Sequence, residues 1–148
     1  MLELHQVFQT HDYRSPFDLT LDGYTDRWWN MHRSPVGESR YDTFTFIADG
    51  VEVARAEVDP DDAVLGEYVD LDTPVDVARL TFFEVRAPRR REGLGRAAVE
   101  LLAEHYPRTV LAAFSEQADQ FWTACGWRLH RRSDGDPRFQ PLFVHRSG

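Results

Sequence analysis

The chain has little with which to cross-link, chelate or span. One cysteine, Cys125, in 148 residues excludes an internal disulfide framework and a cysteine-only zinc cage. No apolar run approaches the ~20 residues a membrane-spanning helix requires, so no membrane partner is expected. The opening Met1-Leu2-Glu3-Leu4-His5 lacks the charged-then-apolar order of a secretion signal. A cytoplasmic location is the expectation. Repeats and low-complexity segments are missing. Lysine is also missing, so all 17 basic residues are arginine. The histidines (His5, His11, His32, His105, His130, His145) are dispersed without metal-ligand spacing, and no metal is expected.

What is present suits one globular domain over residues 1–148. At 42% hydrophobic and 13% aromatic residues, the chain can bury a core of the usual size for its length. A net charge of −8 argues against a nucleic-acid partner, but the average conceals a split. Residues 1–85 carry 6 Arg against 18 Asp and Glu, net −12, and residues 86–148 carry 11 Arg against 7, net +4. Five arginines (Arg86, Arg89, Arg90, Arg91, Arg96) fall within eleven residues. Such a run is either a polyanion site or a solvated basic loop.

Periodicity orders the elements. Met1–Phe8 reads as a short strand. Ser15–Arg33, apolar but broken by Pro16 and Gly23, reads as one or two short helices. Tyr41–Val58 alternates around Asp49-Gly50, a pair suited to the positive φ values of a tight hairpin turn. Asp59–Asp76 reads as an acidic loop with an extended piece near Ala63–Val69. Arg79–Arg86 is strongly strand-like. Leu94, Ala97, Ala98, Leu101, Leu102 and His105 form one helical face that Pro107 ends. Thr109–Phe114 reads as a buried strand. A second helix is N-capped by Ser115, carries Ala118, Phe121, Trp122 and Cys125 on one side, and closes at Gly126. Trp127–Arg131 and Phe139–His145 read as a closing strand pair. The class is α+β with a largely antiparallel sheet.

The chemistry concentrates where strand, arginine-rich loop, Gly93-Leu94-Gly95 and helix follow one another. A helix start leaves backbone N–H groups without acceptors, and their aligned dipoles favour negative charge. Glycines there let an anion approach the backbone, and flanking arginines add charged donors. Residues 90–96 therefore read as an anion cradle, or as a tight turn that glycine merely permits. Gly93-Leu94-Gly95-Arg96-Ala97-Ala98 also satisfies a dinucleotide-binding fingerprint. That reading fails on context, because the glycines follow Arg86 by seven residues and a hairpin precedes the strand.

Arg90-Arg91-Glu92-Gly93-Leu94-Gly95 matches the Arg/Gln-x-x-Gly-x-Gly/Ala signature of the GNAT N-acetyltransferases, and Val85 matches the valine that ends that family's central strand. Ser115-x-x-Ala118-x-x-Phe121-Trp122-x-x-x-Gly126-Trp127 runs parallel to a second family pattern. The chain thus resembles this family convincingly over residues 41–131. The resemblance implies a three-layer α/β/α arrangement around a mixed, mostly antiparallel sheet splayed at its middle. It implies acetyl-CoA as cosubstrate, held by Phe83, Val85, Arg90, Arg91, Glu92, Gly93, Leu94, Gly95, Arg96, Ser115, Phe121 and Trp122, with no metal. Acetyl would pass to a primary amine, small-molecule or peptide, by direct attack in a ternary complex. The Val85 N–H would polarise the thioester carbonyl.

Glu84 is the candidate base. It stands in an apolar strand where burial raises a carboxyl pKa, and the alternative is an ion pair with a neighbouring arginine. Acidic residues such as Asp59, Asp61, Asp62, Glu67, Asp70 and Asp72 are placed to attract a cationic acceptor. Edge strands near the C-terminus admit a homodimer. Two positions depart from the family. Trp122 replaces the tyrosine proposed to protonate the leaving thiolate, and an indole N–H is no proton source at neutral pH. Ser115 replaces an asparagine. These departures sustain the alternative of a non-catalytic acyl-CoA-binding or regulatory module on the same fold. Cys125 reads as core.

Overall fold

A computed structural model describes residues 1–30 and 34–146. Seven strands form one sheet: β1 (Leu2–Val7), β2 (Asp42–Ala48), β3 (Val51–Val64), β4 (Val75–Val85), β5 (Leu111–Phe114), β6 (Arg128–His130) and β7 (Leu142–His145). Their spatial order is β1-β2-β3-β4-β5-β7-β6. Every pairing is antiparallel except β4 with β5. The helices are α1 (Leu94–His105) and α2 (Asp119–Ala124).

The β2–β3 hairpin turns at Asp49 (φ 52°) and Gly50 (φ 78°), the doubly positive backbone that an Asp-Gly pair tolerates. Beyond it β3 runs further than the expected loop at Asp59 allows, reaching Val64. The ladder shifts between Asp59 and Asp62. Pro60 falls inside that irregularity, where a residue without an N–H costs the sheet least. The acidic connection is correspondingly shorter, with β4 starting at Val75.

α1 has the expected bounds, but its buried stripe is Gly95, Ala98, Val99 and Leu102, rotated from the face drawn through Ala97 and Leu101. It packs with Phe121, Trp122 and Trp127 against Phe44, Phe46, Ala54, Ala56, Phe83 and Val85. Both helices thus cover one face of the sheet. The other face carries irregular chain. Phe17 and Trp29 are buried there, and Arg55 of β3 lies over the Phe17 and Tyr24 rings.

The short helices expected within Ser15–Arg33 do not form among the described residues; Met31, His32 and Arg33 lie outside them. Local hydrogen bonds compete instead. The Asp18 carboxylate accepts from the Thr20 N–H at 2.9 Å, the Ser15 hydroxyl from the Phe17 N–H at 3.1 Å, and Gly23 sits at φ 90°. Such side-chain-to-backbone bonds favour turns over helix. The third layer is therefore coil rather than helix. α2 starts four residues after Ser115, whose hydroxyl accepts from the Ala118 N–H at 3.0 Å in the preceding turn.

Leu102, 2% exposed, sits at the centre of the α1 contact. Leu102→Ala should cost about 2–5 kcal/mol, the usual range for a buried leucine. Urea unfolding of the variant against the parent chain measures it.

Candidate active site

The site begins with a defect in the sheet. Glu57 opposes Phe82, but Val58 opposes Leu80, so Thr81 is an extra residue in β4. Such a bulge bends its strand and increases its twist. β4 accordingly pairs with β5 only at Ala78–Leu111 and Arg79–Ala112. β5 continues with β7 and β4 with β3, and a wedge opens between them from Leu80 onward.

The Arg86 N–H donates to the Val53 carbonyl of β3 at 2.8 Å. Backbone groups alternate sides along a strand, so those of Phe83 and Val85 point away from β3, into the wedge. The Val85 carbonyl accepts there from Arg90 Nε at 2.9 Å.

The loop after β4 turns through Ala87–Arg89 as a single 3-10 turn. It then takes positive φ at Arg91 (67°) and Gly93 (78°) before entering α1. No side chain caps that helix start. The first intrahelical bond is from the Ala97 N–H to the Gly93 carbonyl at 3.2 Å, which leaves the Leu94, Gly95 and Arg96 N–H groups ahead of the ladder. They border a cleft of ≈ 690 Å³. Its walls include Phe83, Glu84 and Val85 of β4, Arg90, Arg91, Gly93, Leu94, Gly95 and Arg96 of the loop and helix, and Phe121 and Trp122 of α2.

Two residues expected beside them are not in its walls. Glu92 is exposed and pairs with Arg89 at 3.0 Å. Ser115 is buried, its hydroxyl engaged in the turn before α2.

The glycines differ in what they do. A Cβ on Gly93 would meet nothing within 4 Å, so only its left-handed backbone calls for glycine. A Cβ on Gly95 would lie 2.8 Å from Phe121 Cε1 and 3.3 Å from Val85 Cγ2. Gly95 thus brings α1 onto β4 and α2. The arginines differ as well. Arg90 folds back onto Val85 and, at 3.0 Å, onto Glu84. Arg96 reaches Glu100 at 3.5 Å with both side chains largely in solvent, a weak tie that leaves it available.

Glu84 is a bracket. Its carboxylate accepts from the Thr25 N–H (3.0 Å), the Trp29 indole N–H (2.8 Å) and Arg90 (3.0 Å). Beside it Arg86 donates to the Asp22 carbonyl and carboxylate, both at 2.7 Å, and the Ala87 N–H to the Gly23 carbonyl at 2.9 Å. Residues 22–29 are thereby fastened across the end of β4. The ion pair with a neighbouring arginine, the alternative open for Glu84 in the sequence, is present.

A second cavity of ≈ 390 Å³ adjoins the first, sharing Trp28, Phe83, Glu116, Ala118 and Trp122 with it. Its own lining adds three aromatic rings, Tyr41, Phe82 and Phe114, beside Leu80, Thr81, Arg79 and Gln140. Trp28 stacks on Phe82 with ring centres 5.2 Å apart. Trp29 is buried, whereas Trp28 lines both cavities. Thr25 and Arg27 were not foreseen because their segment has no readable pattern, and Glu116 because it fills an unspecified position of the Ser115–Trp127 pattern. The acidic residues of the β3–β4 region line neither cavity. Asp59 is held by Arg40, Asp62 by Arg79 at 2.7 Å and Asp70 by Arg128 at 3.3 Å.

Trp122, in the position of the family's tyrosine, is buried against Trp127 with ring centres 4.7 Å apart. Cys125 packs on the core, where burial raises its thiol pKa. No described helix is long and apolar enough to cross a membrane.

The sequence matches no protein-family model and no curated protein. The structure is similar to the Bacillus subtilis N-acetyltransferase YlbP in complex with coenzyme A, at TM-score 0.54 and 16% identity, over 78% of this chain and 71% of that one. It is similar to an acetyltransferase from Thermus thermophilus, at TM-score 0.54 and 21% identity, over 74% and 66%. A variant of the toxin AtaT, bound to the C-terminus of the antitoxin AtaR and acetyl-CoA, matches at TM-score 0.57 and 9% identity, over 99% and 93%. The fold is that of the GNAT acetyltransferases.

Removing the Glu84 bracket strands a buried indole donor and the Thr25 N–H. Glu84→Ala should cost about 1–3 kcal/mol, with residues 22–29 becoming the first site of limited proteolysis. Glu84→Gln, which keeps an acceptor for Trp29, should cost less. Equal urea midpoints for the two variants would show that the bracket carries no stability.

Proposed function

We propose that this protein is an acetyl-CoA-dependent N-acetyltransferase. The observation that carries the reading is the unpaired edge of β4. It leads from the N–H groups at the start of α1, past two backbone N–H groups at Val85 and Phe83, to an aromatic cavity. A pyrophosphate suits the uncapped helix start flanked by Arg91 and Arg96. A pantetheine arm, with amides spaced along it, suits a strand edge lacking a partner on that side. The fold shared with proteins solved with coenzyme A or acetyl-CoA supports the same cosubstrate.

The two cavities meet at Phe83, and the thioester is assigned there. Its carbonyl then takes the Phe83 N–H, with the Val85 N–H holding the arm one step nearer the loop. This moves the oxyanion donor two residues inward from the one expected. A preorganised backbone N–H in a site closed to water is an effective stabiliser of the tetrahedral adduct. The amine approaches from the aromatic cavity and attacks directly, with positioning supplying much of the acceleration. The aromatic lining suits an amine carried on an apolar or aromatic body, small molecule or peptide side chain. Glu84, tied to three donors, holds this geometry by fastening Trp29 and Arg90.

The engaged Ser115 and the buried Trp122 favour a second reading, a module that binds acyl-CoA without turning it over. Titration calorimetry with coenzyme A and thiol release from acetyl-CoA with a panel of primary amines separate the two. Binding with turnover is expected; tight binding without turnover selects the second reading, and no binding removes both. Arg91→Ala and Arg96→Ala should each weaken coenzyme A by about tenfold to a hundredfold, as loss of a charged hydrogen bond would. The weakening should shrink at high salt.

A further inference from the structure

An acceptor amine arrives as an ammonium and attacks as a neutral amine, so one proton has to leave the site. Among the described residues, two carboxylates border the coenzyme cleft or the aromatic cavity, Glu84 and Glu116. Glu84 is spent on the Thr25, Trp29 and Arg90 donors. Glu116 borders both spaces and, with Phe83, belongs to the few residues at which they meet. It also borders a third, outer groove between residues 115–121 and 137–141. Its side chain is 52% exposed, so it touches water as well as the place where the acetyl group is assigned.

The turn that carries Glu116 is held from both sides. Before it, the Ser115 N–H donates to the Pro141 carbonyl at 2.8 Å, and the buried Ser115 hydroxyl accepts from the Ala118 N–H at 3.0 Å. After it, Gln117 takes φ 57°, a left-handed conformation that a glutamine keeps only when its surroundings impose it. Arg27, from the segment fastened across the end of β4, pairs with Glu116 at 3.7 Å. The same guanidinium lies over the Trp28 ring, 5.5 Å from its centre. A carboxylate beside an aromatic face is a receptor for a cation, and here an arginine of the chain itself sits in it. With both side chains more than half in solvent, that pair is weak, and an incoming ammonium can replace the guanidinium.

Resting on the transferase reading, we propose that Glu116 is the residue that receives the acceptor ammonium and takes its proton, with Arg27 holding that place until the acceptor arrives. The ammonium displaces the Arg27 guanidinium and gives one proton to the Glu116 carboxylate, leaving a neutral amine. The nitrogen lone pair forms the C–N bond at the thioester carbon. The adduct expels the thiolate as the C–S bond breaks, and the second amine proton goes to that thiolate. Glu116 then passes its proton to water through its exposed side, and Arg27 returns.

The test uses the full chain and two probe amines: phenethylamine, and its β,β-difluoro analogue, whose weaker basicity leaves far more of it neutral at the assay pH. Thiol release is followed for the parent chain, Glu116→Gln and Arg27→Gln, at acetyl-CoA concentrations that saturate each of them, so that changes in coenzyme binding drop out. Glu116→Gln should lower kcat/KM for phenethylamine by about 10²-fold. The loss should be much smaller for the fluorinated amine, which brings less charge and needs less help to lose its proton. Arg27→Gln breaks the same ion pair from the other side and should act in the opposite direction. It should raise kcat/KM for phenethylamine by about twofold to fivefold, the hold of an exposed ion pair.

Parent-like rates with phenethylamine in Glu116→Gln, or equal losses with both amines, would overturn the role given to Glu116 while leaving the transferase reading standing. So would a loss in Arg27→Gln matching that in Glu116→Gln, the mark of a pair that only braces the site. A parent chain that binds coenzyme A but acetylates neither probe counts against this role and the transferase reading together.

Discussion

A single extra residue in one strand governs most of this molecule. With Thr81 inserted opposite the Glu57–Val58 step, β4 cannot follow both of its neighbours. It stays with β3, whose long ladder offers many pairings, and leaves β5 after two. Backbone donors that a continuous sheet would consume are left facing a wedge. An unpaired buried N–H is costly, so a strand edge kept inside a fold is a demand for a partner. The coenzyme arm proposed for this edge, with amides of its own, would answer that demand.

The rest of the architecture holds the wedge open and shapes its two ends. At one end Gly95 lets α1 approach Phe121 and Val85 to within contact distance, which sets the uncapped helix start against the strand terminus. At the other end aromatic rings fill the space between the two halves of the sheet. The chain between β1 and β2 forms no helix or strand among its described residues, yet it completes the site. It is pinned by Arg55 of β3, Glu84 of β4 and Arg86 just beyond β4, three charged side chains that capture backbone or indole groups of residues 18–29. These bonds are worth more than surface ion pairs because one partner is buried and would otherwise be unsatisfied.

Charge at the site is also reassigned by the fold. The run of five arginines divides into three arrangements: Arg86 and Arg90 turn inward to the segment and the strand end, Arg89 pairs with Glu92, and Arg91 and Arg96 border the cleft. The acidic excess of the first half is likewise drawn into pairs across the sheet and its loops.

The sequence alone determined what depends on short-range chemistry. Alternation and an Asp-Gly pair specify the hairpin, a 3.6-residue stripe specifies α1, and glycine specifies the left-handed turn at its start, since each follows from neighbours within a few residues. Only the tertiary structure decided where β4 parts from β5, because a bulge is a mismatch between two strands and neither strand records it. It also decided that Ser15–Asn30 would be coil, since side-chain bonds and contacts with β3 and β4 outweigh a weak helical pattern. For the same reason the sequence could not tell which donors would meet Glu84, because the Thr25 and Trp29 N–H groups come from a segment distant in sequence.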